Sequence, residues 1–248
     1  MTVVTEDRLL DGRIQLRQPE RGYRAGLDAA LLAAACEAPA GAQVLEAGCG
    51  VGGALLAAAW RCAEARFMGL ERDAATAALA RENVVLNGLA DRVSIREGDV
   101  AQRFSHLGLE PFDAVIANPP FFDDPSTLRG PAAERRAAWL ADDGLAAWAG
   151  FLTKAVREGG AITVIHRADR LADLLALLGE KAGSFQIRPI HPFVDAPAKR
   201  VLVRAVKTGK APLRLLPALV LHDREGGEKH RPEAEAILRG EAGLGWLA

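Results

Sequence analysis

The sequence of 248 residues lacks long hydrophobic runs, and no stretch approaches the roughly 18 consecutive apolar residues that a membrane-spanning helix needs. Its first residues, MTVVTEDRLL, also lack the basic end and the apolar stretch of a secretory signal peptide. Membrane-spanning and secreted proteins are therefore the classes that the sequence disfavours. We expect a soluble protein of the cytoplasm.

Cysteines are few, and their pattern is uninformative for metal binding. Cys36, Cys49 and Cys62 are odd in number and lack the short paired spacing that is typical of a zinc site. Disulfides are not expected in a protein without a secretory context. The sequence therefore predicts neither a disulfide framework nor a metal centre.

An excess of either charge is also missing, because 31 Lys and Arg residues face 32 Asp and Glu residues and leave a formal net charge of -1. This balance argues against nucleic-acid binding by the field of the whole molecule, but it allows a local basic surface. Residues 185–214 carry seven basic side chains against one acid, Asp195. They form either an RNA-binding face or a solvated strand face that acids elsewhere balance. The seven are Arg188, Lys199, Arg200, Arg204, Lys207, Lys210 and Arg214.

What the sequence does contain is an alternation of short apolar runs with alanine-rich stretches at helical spacing, which is typical of a parallel sheet covered by helices. The fold class is therefore α/β. Candidate strands cover residues 43–47, 67–71, 93–97, 112–117, 161–166, 185–189 and 200–207. Candidate helices cover residues 53–65, 73–87, 144–157 and 169–178.

Half of the residues are hydrophobic, which is enough for one domain with its own core. We expect an N-terminal segment and helix at 1–42, a catalytic core at 43–210 and a C-terminal appendage at 211–248. The appendage is predicted to close with antiparallel strands and a short helix at 232–239. Residues 125–143 are interpreted as an excursion that meets substrate.

The segment VLEAGCGVGG at residues 44–53 combines a strand, a glycine-rich turn and the start of a helix, which is the geometry of a nucleotide-binding loop. Gly48, Gly50 and Gly53 also satisfy the dinucleotide pattern GxGxxG, so the glycines alone do not choose the cofactor. Glu46 does help to choose. A carboxylate there attracts the ammonium group of a methionine moiety and repels a pyrophosphate, which favours S-adenosylmethionine over NAD.

Acidic residues also follow the next two predicted strands. Glu71 is placed to accept the ribose hydroxyls, as in other doubly wound nucleotide folds. Asp99 is placed to accept the amino group of adenine, with Val100 against the ring. Each acid taken singly could instead be a helix cap or a solvated turn. Their joint position at the ends of successive strands favours cofactor binding.

The strand at 112–117 ends in Asn118, Pro119, Pro120 and Phe121. An exocyclic amino nitrogen is a poor nucleophile because its lone pair is delocalised. Hydrogen bonds from its two protons to the Asn118 side-chain oxygen and the Pro119 carbonyl favour a pyramidal nitrogen. The prolines fix the backbone, and Phe121 offers a face on which a planar substrate stacks. Methyl transfer then depends mostly on positioning and needs no metal.

Together, these segments resemble the class I, Rossmann-like methyltransferases that carry an NPPF or NPPY motif. Residues 21–28, RGYRAGLD, are similar to the corresponding segment of the bacterial tRNA1(Val) (adenine-37) N6-methyltransferase family. The resemblance implies a mostly parallel seven-stranded sheet with helices on both faces and an antiparallel last strand. It also implies that Glu46, Gly48 and Gly50 hold the methionine part of S-adenosylmethionine, the cofactor that becomes S-adenosylhomocysteine.

The same resemblance assigns the ribose to Glu71, the adenine to Asp99 and the target base to residues 118–121. It makes tRNA or another RNA the expected partner. Three alternatives stay open: a protein glutamine N5- or ribosomal RNA guanine N2-methyltransferase, a small-molecule N-methyltransferase, and a cofactor-binding module or NAD-dependent protein. Trp139 and Trp148 either cap the pocket or pack a helix, and Asp28 either lines the cofactor pocket or caps the next helix.

Overall fold

The computed structural model describes residues 3–20, 24–120, 144–225 and 228–247. Within these ranges the strands are β1 (Val4–Leu9), β2 (Ile14–Pro19), β3 (Gln43–Ala47), β4 (Arg66–Glu71), β5 (Val93–Glu97), β6 (Phe112–Ala117), β7 (Val156–Arg167), β8 (Ala182–His191), β9 (Arg200–Lys207), β10 (Arg214–Leu215) and β11 (Leu219–Val220). The helices are α1 (Leu27–Ala34), α2 (Gly53–Arg61), α3 (Ala74–Leu86), α4 (Leu145–Ala155), α5 (Leu171–Gly179) and α6 (Pro232–Arg239).

The main sheet has the order β10-β8-β9-β7-β6-β3-β4-β5, and β11 also pairs with β8. Strands β3 to β7 are parallel where they pair, whereas β9 is antiparallel to both β7 and β8. The predicted α/β class, the parallel core and the antiparallel last long strand are confirmed.

The number of strands was predicted wrongly: among the described residues the main sheet has nine strands instead of seven. The two additional strands, β10 and β11, have two residues each and lie along the free side of β8. They run parallel to β8, so the prediction of antiparallel closing strands is also wrong. Because β9 is antiparallel, it ends at the edge where β8 begins, and a chain that returns along β8 must run in the direction of β8.

The predicted helices are all present in the described residues, although the ends differ. Helix α2 ends at Arg61, four residues before the predicted end, and α6 has the predicted bounds. Strand β7 begins at Val156 and β8 at Ala182, so both are longer than predicted. The division into an N-terminal segment, a core and an appendage stays a prediction.

The N-terminal segment contains an antiparallel hairpin, β1 with β2, that the sequence analysis missed. Ile14, Leu16 and Gln18 on β2 are buried, while the residues between them are more exposed. This period of two is the strand signal that could have revealed the hairpin.

The sheet buries side chains on both faces, as a parallel sheet with helices on each side must. On one face Val44 and Ile116 pack with α1, α2, the hairpin and α6. On the other face Leu45 and Val115 pack with α4 and α5. Because β3 to β7 all run in one direction, the segments that follow them meet at one edge of the sheet, where ligands of such folds bind.

Candidate functional site

The glycine loop, residues 48–52, connects β3 to α2. Gly48, Gly50 and Gly52 have φ angles of 66°, 55° and 91°, in the left-handed region that favours glycine. The third glycine of the predicted pattern, Gly53, is instead the first residue of α2, and a Cβ atom there would lie 2.3 Å from the Cβ of Ala25. The loop therefore needs glycines for two reasons: backbone conformation and close packing.

Gly48 lies against the indole ring of Trp148, near the start of α4. A Cβ atom at residue 48 would be only 2.4 Å from the Cη2 atom of Trp148. Trp148 is buried, and its Nε1 has no hydrogen-bond partner among the described residues. From the sequence, Trp148 was expected either to cap the pocket or to pack a helix. In the structure its ring lies against the glycine loop.

Glu46 lies near the end of β3 with its side chain buried beneath the loop. Burial raises the pKa of this carboxyl well above its usual value, Glu71 adds to the increase, and the backbone amide of Leu55 opposes it. Its Oε2 has no hydrogen-bond partner among the described residues. A buried acceptor of this kind carries a free-energy cost that a cationic or donor group would relieve.

Glu71, the last residue of β4, accepts hydrogen bonds from two backbone amides. The Gly50 amide donates to Glu71 Oε2 at 3.0 Å, and the Asp73 amide donates to Oε1 at 2.9 Å. These contacts fix the orientation of the carboxylate beside the glycine loop. Glu71 is only partly buried, so its remaining lone pairs are available to a ligand.

Asp99 and Val100 follow β5 at the same edge. Asp99 Oδ1 accepts a hydrogen bond from the Ala101 amide at 2.9 Å, and its Oδ2 lies 3.9 Å from a guanidinium nitrogen of Arg72. Val100 is buried in the apolar cluster on the α4 side of the sheet. Asp99 is thus held at the third strand end, as the sequence predicted, with part of its surface exposed.

Asn118, Pro119 and Pro120 directly follow β6. In the pairing of β3 with β6, Ala47 is opposite Ala117. The next residues along these two strands are Gly48 and Asn118, so the glycine loop and the Asn-Pro-Pro segment start side by side. Pro119 is buried, whereas its two neighbours are partly exposed. Phe121 and the excursion at 125–143, including Trp139, lie outside the described residues.

Two polar residues, His166 and Asp28, lie near the end of β7 and the start of β9. His166 was not predicted as a site residue, whereas Asp28 was expected either to line the cofactor pocket or to cap a helix. His166 is buried, and burial lowers its pKa to about 4, so it is neutral at physiological pH. Asp28, in the first turn of α1, accepts a hydrogen bond from Arg200 Nε at 3.0 Å. Asp28 therefore pairs with the start of β9. The sequence gave no signal for this pair, because its members are 172 residues apart.

Several basic side chains of the segment at 185–214 are used in contacts within the protein. Arg188 donates to the carbonyls of Pro217 at 3.1 Å and Gly245 at 2.8 Å, and so holds the C-terminal segment. Lys207 forms an ion pair with Glu158 at 3.3 Å. Arg200 pairs with Asp28, as described above. At least three of the seven basic side chains thus have structural partners.

In the described part of the chain, no group of three or more His, Cys, Asp or Glu residues is arranged to hold a metal ion. The same residues include no helix with the length and apolar character to cross a membrane.

Comparison with known families gives a match at the glycine loop and the Asn-Pro-Pro segment. Residues 24–134 match the model of the methyltransferase small domain. The tRNA1(Val) (adenine(37)-N6)-methyltransferase of Porphyromonas gingivalis is 36% identical over 132 residues, which are 51% of each chain. The protein of the same name from Trichodesmium erythraeum is 28% identical over 80% of this chain and 83% of its own. The chain thus spans about half the length of the first relative.

A release factor glutamine methyltransferase of Chlorobaculum tepidum is also similar, with 27% identity over 71% of this chain and 60% of its own. Among solved structures, the predicted O-methyltransferase Atu636 from Agrobacterium tumefaciens superposes with a TM-score of 0.73. It is 26% identical, and the match covers 88% of this chain and 98% of that chain. In sequence around the glycine loop and in fold over most of its length, this chain resembles the Rossmann-like S-adenosylmethionine-dependent methyltransferases.

Proposed function

We propose that this chain is an S-adenosylmethionine-dependent methyltransferase that acts on an exocyclic amino nitrogen. The observation that carries the proposal is the pairing of β3 with β6, which starts the glycine loop and the Asn-Pro-Pro segment side by side. A cofactor held on the loop would lie next to the residues that receive the amino group. In-line methyl transfer needs this proximity more than it needs acid or base chemistry.

The residues present fit S-adenosylmethionine. Gly48 and Gly50 allow close approach of a ligand to the backbone, and the unpartnered carboxyl oxygen of Glu46 suits the ammonium of the methionine part. Glu71 would accept the ribose hydroxyls, and Asp99 the adenine amino group. The bound cofactor supplies a methyl group activated by its positively charged sulfur.

On the acceptor side, Asn118 and the Pro119 carbonyl would accept hydrogen bonds from the two amino protons and thereby orient the nitrogen lone pair. The prolines hold this carbonyl because their φ angles are fixed. Phe121 would stack on a planar substrate. The proton released after transfer would leave to these acceptors and to water.

Among amino-group substrates, we favour N6 of an adenine in tRNA, because the relatives named for that reaction include one that matches over 80% of this chain. The second candidate is a protein glutamine, which the similarity to a glutamine methyltransferase supports. An RNA substrate requires phosphate contacts from exposed Lys or Arg, and Arg188, Arg200 and Lys207 already have partners within the protein. Lys199 and Lys210, both exposed, are two side chains that could supply the phosphate contacts.

Calorimetric titration tests the cofactor. Wild-type protein should bind S-adenosylmethionine and not NAD, and Glu71→Ala should weaken binding at least about tenfold, since the carboxylate makes charge-assisted hydrogen bonds. Glu97→Ala is the matched control, because Glu97 also ends a strand at this edge but pairs with Arg81. Binding of NAD alone would overturn the proposal.

Methyl transfer from labelled cofactor then tests the substrate. Unmodified tRNA and a release factor should be offered separately, each with Asn118→Ala as the inactive control. Label in tRNA at N6 of adenine, with a rate that falls steeply with salt, supports the RNA substrate. Label only in glutamine of the release factor would replace it with the second candidate.

A further inference from the structure

The N-terminal hairpin is attached to α3 by two asparagine side chains. Asn83 accepts a hydrogen bond from the Arg17 amide at 2.8 Å and donates to the Arg17 carbonyl at 2.9 Å. Asn87 makes the same pair of contacts with Gln15, at 2.9 and 2.7 Å. Residues 83 and 87 are one helical turn apart, and residues 15 and 17 are alternate positions of a strand.

The two carboxamides therefore act as a substitute for a neighbouring strand. In the pairing of β1 with β2, alternate residues of β2 direct their backbone groups away from β1. Those of Gln15 and Arg17 would otherwise form an open sheet edge. Each asparagine offers one acceptor and one donor, the set that a strand residue offers.

Asn83 makes one more contact, and this contact reaches the glycine loop. Its Nδ2 also donates to the Val51 carbonyl at 2.9 Å, and the Asn83 side chain is fully buried. Asn87 Nδ2 makes its second hydrogen bond, besides the one to Gln15, to the Asn83 carbonyl at 2.8 Å, and so it does not reach the glycine loop. Val51 lies between Gly50 and Gly52, two of the three loop glycines that have the left-handed conformation.

The hairpin also packs close to Gly53, the residue that directly follows the loop. A Cδ2 atom of Leu16, on the buried side of β2, lies 3.5 Å from the Cβ position of Gly53. The loop is thus supported by the hairpin at Gly53, by Asn83 at Val51 and by Glu71 at Gly50. Of these, Glu71 is the residue that a bound ribose would engage, so Asn83 holds the loop independently of the ligand.

We propose that Asn83 is a positioning residue that couples the N-terminal hairpin to the cofactor loop, and that the hairpin thereby supports the loop in its cofactor-binding shape. The part of the proposal that concerns cofactor affinity rests on the proposed function. The part that concerns the loop itself does not.

The test compares Asn83→Asp with Asn87→Asp. Each change keeps the side-chain volume and the acceptor for the hairpin amide, and each removes the donor to the hairpin carbonyl. Only Asn83→Asp also removes the donor to Val51 and places a carboxylate oxygen against that carbonyl. Asn83→Ser, with a smaller hydroxyl donor, provides a second variant if the carboxylate prevents folding, and thermal unfolding of each variant records the structural cost.

Hydrogen–deuterium exchange on the protein without cofactor is the first measurement. In Asn83→Asp the amides of Val51 and Gly52 should exchange about tenfold faster than in the wild type, a factor equal to about 1.4 kcal/mol. In Asn87→Asp they should stay within about twofold, while the hairpin amides exchange faster in both variants. Unchanged loop exchange in Asn83→Asp, or an equal increase in Asn87→Asp, would overturn the coupling.

The dissociation constant for S-adenosylmethionine is the second measurement. It should rise about tenfold in Asn83→Asp and change less than about twofold in Asn87→Asp. If the wild type fails to bind S-adenosylmethionine, the proposed function fails and the exchange experiment still decides the coupling. If the wild type binds and Asn83→Asp binds equally well, the positioning role is wrong while the proposed function stands.

Discussion

The acids near the glycine loop and the basic residues of segment 185–214 are equally prominent in the sequence, but they differ in where the fold places their side chains. Glu46, Glu71 and Asp99 come together at one edge of the sheet. Arg188 and Lys207 turn to separate partners on opposite sides of β8 and β9. A residue at the end of a parallel strand has its place fixed by the direction of the sheet. A basic side chain on β8 or β9 pairs with the segment that packs beside it, and that segment comes from a distant part of the chain.

The largest loss of cofactor affinity is expected from a substitution in the glycine loop. Gly48→Ala adds a Cβ that would lie 2.4 Å from the Trp148 ring, at a residue with φ of 66°. The left-handed conformation alone costs about 1–2 kcal/mol for a residue with a side chain, and the overlap adds to it. We expect affinity for S-adenosylmethionine to fall at least about 100-fold in calorimetry.

Gly88→Ala is the matched control for Gly48→Ala. Gly88 has a φ of 64°, but the space around its Cβ position is open. Gly88→Ala therefore carries only the free-energy cost of the left-handed backbone, and the cofactor affinity should not change. Removing the ring in Gly48→Ala/Trp148→Ala should restore part of the affinity. Equal losses in the double and single variants would mean that the overlap with Trp148 is not the cause.

The next largest effect is expected at Glu46, where stability and binding should move in opposite directions. Burial raises the pKa of this carboxyl in the folded state, so as pH rises above its unfolded value near 4.5 the unfolded chain loses the proton first and stability falls. Glu46→Gln cannot ionise. Its Tm at pH 7 should therefore exceed that of the wild type by about 2–4 °C, which corresponds to about 1 kcal/mol.

The gain in Glu46→Gln should shrink toward pH 4, where the wild-type carboxyl is protonated in both states. The same variant should bind S-adenosylmethionine about tenfold more weakly, because an amide cannot pair with an ammonium group. A scan of Tm against pH and one titration measure both. A lower Tm at pH 7 would show that the carboxyl stabilises the loop without a ligand.

A smaller effect is expected in the basic segment at Arg188. Arg188→Met removes hydrogen bonds to the carbonyls of Pro217 and Gly245, and should lower the free energy of unfolding by about 1–2 kcal/mol in urea titration. It should not change the salt dependence of RNA binding, since its guanidinium is used internally. A reduced salt slope with unchanged stability would place Arg188 on an RNA-binding face and break the comparison.

The smallest change in stability is expected at Lys210, which is exposed. Lys210→Met should leave the free energy of unfolding within about 0.5 kcal/mol of the wild type. If tRNA is the substrate and Lys210 contacts a phosphate, the slope of log affinity against log salt should fall by about one. An unchanged slope at both Lys210 and Lys199 would show that neither side chain contacts a phosphate.

Most of the main sheet could be predicted from the sequence because its strands are short, apolar and bounded by helices with their own signals. Strands β3, β5, β6 and β9 have the predicted bounds. The hairpin was missed because its two strands follow each other directly, without the helices that separate the strands of the main sheet. Strands β10 and β11 have two residues each, too few for a period to be recognised.

Some residues of the candidate site could likewise be predicted from the sequence, and others could not. The acids and glycines could be chosen from sequence because each lies next to a strand end. Trp148 was left undecided, since a tryptophan on a helix gives no sign of which surface it meets. Asn83 gave no signal at all, because a polar residue inside a helix pattern is usually solvated.

The sequence by itself determined the α/β class, the parallel character of the sheet and the types of residue at the strand ends. Local pattern suffices for these, because the chemistry of strand, glycine turn and helix is carried within a few neighbouring residues. Only the tertiary structure decided that Trp148 covers Gly48, that Asn83 joins Arg17 to Val51 and that Arg200 meets Asp28. Those contacts join residues far apart in the chain, so packing of complete elements chooses them, and no local pattern records the choice.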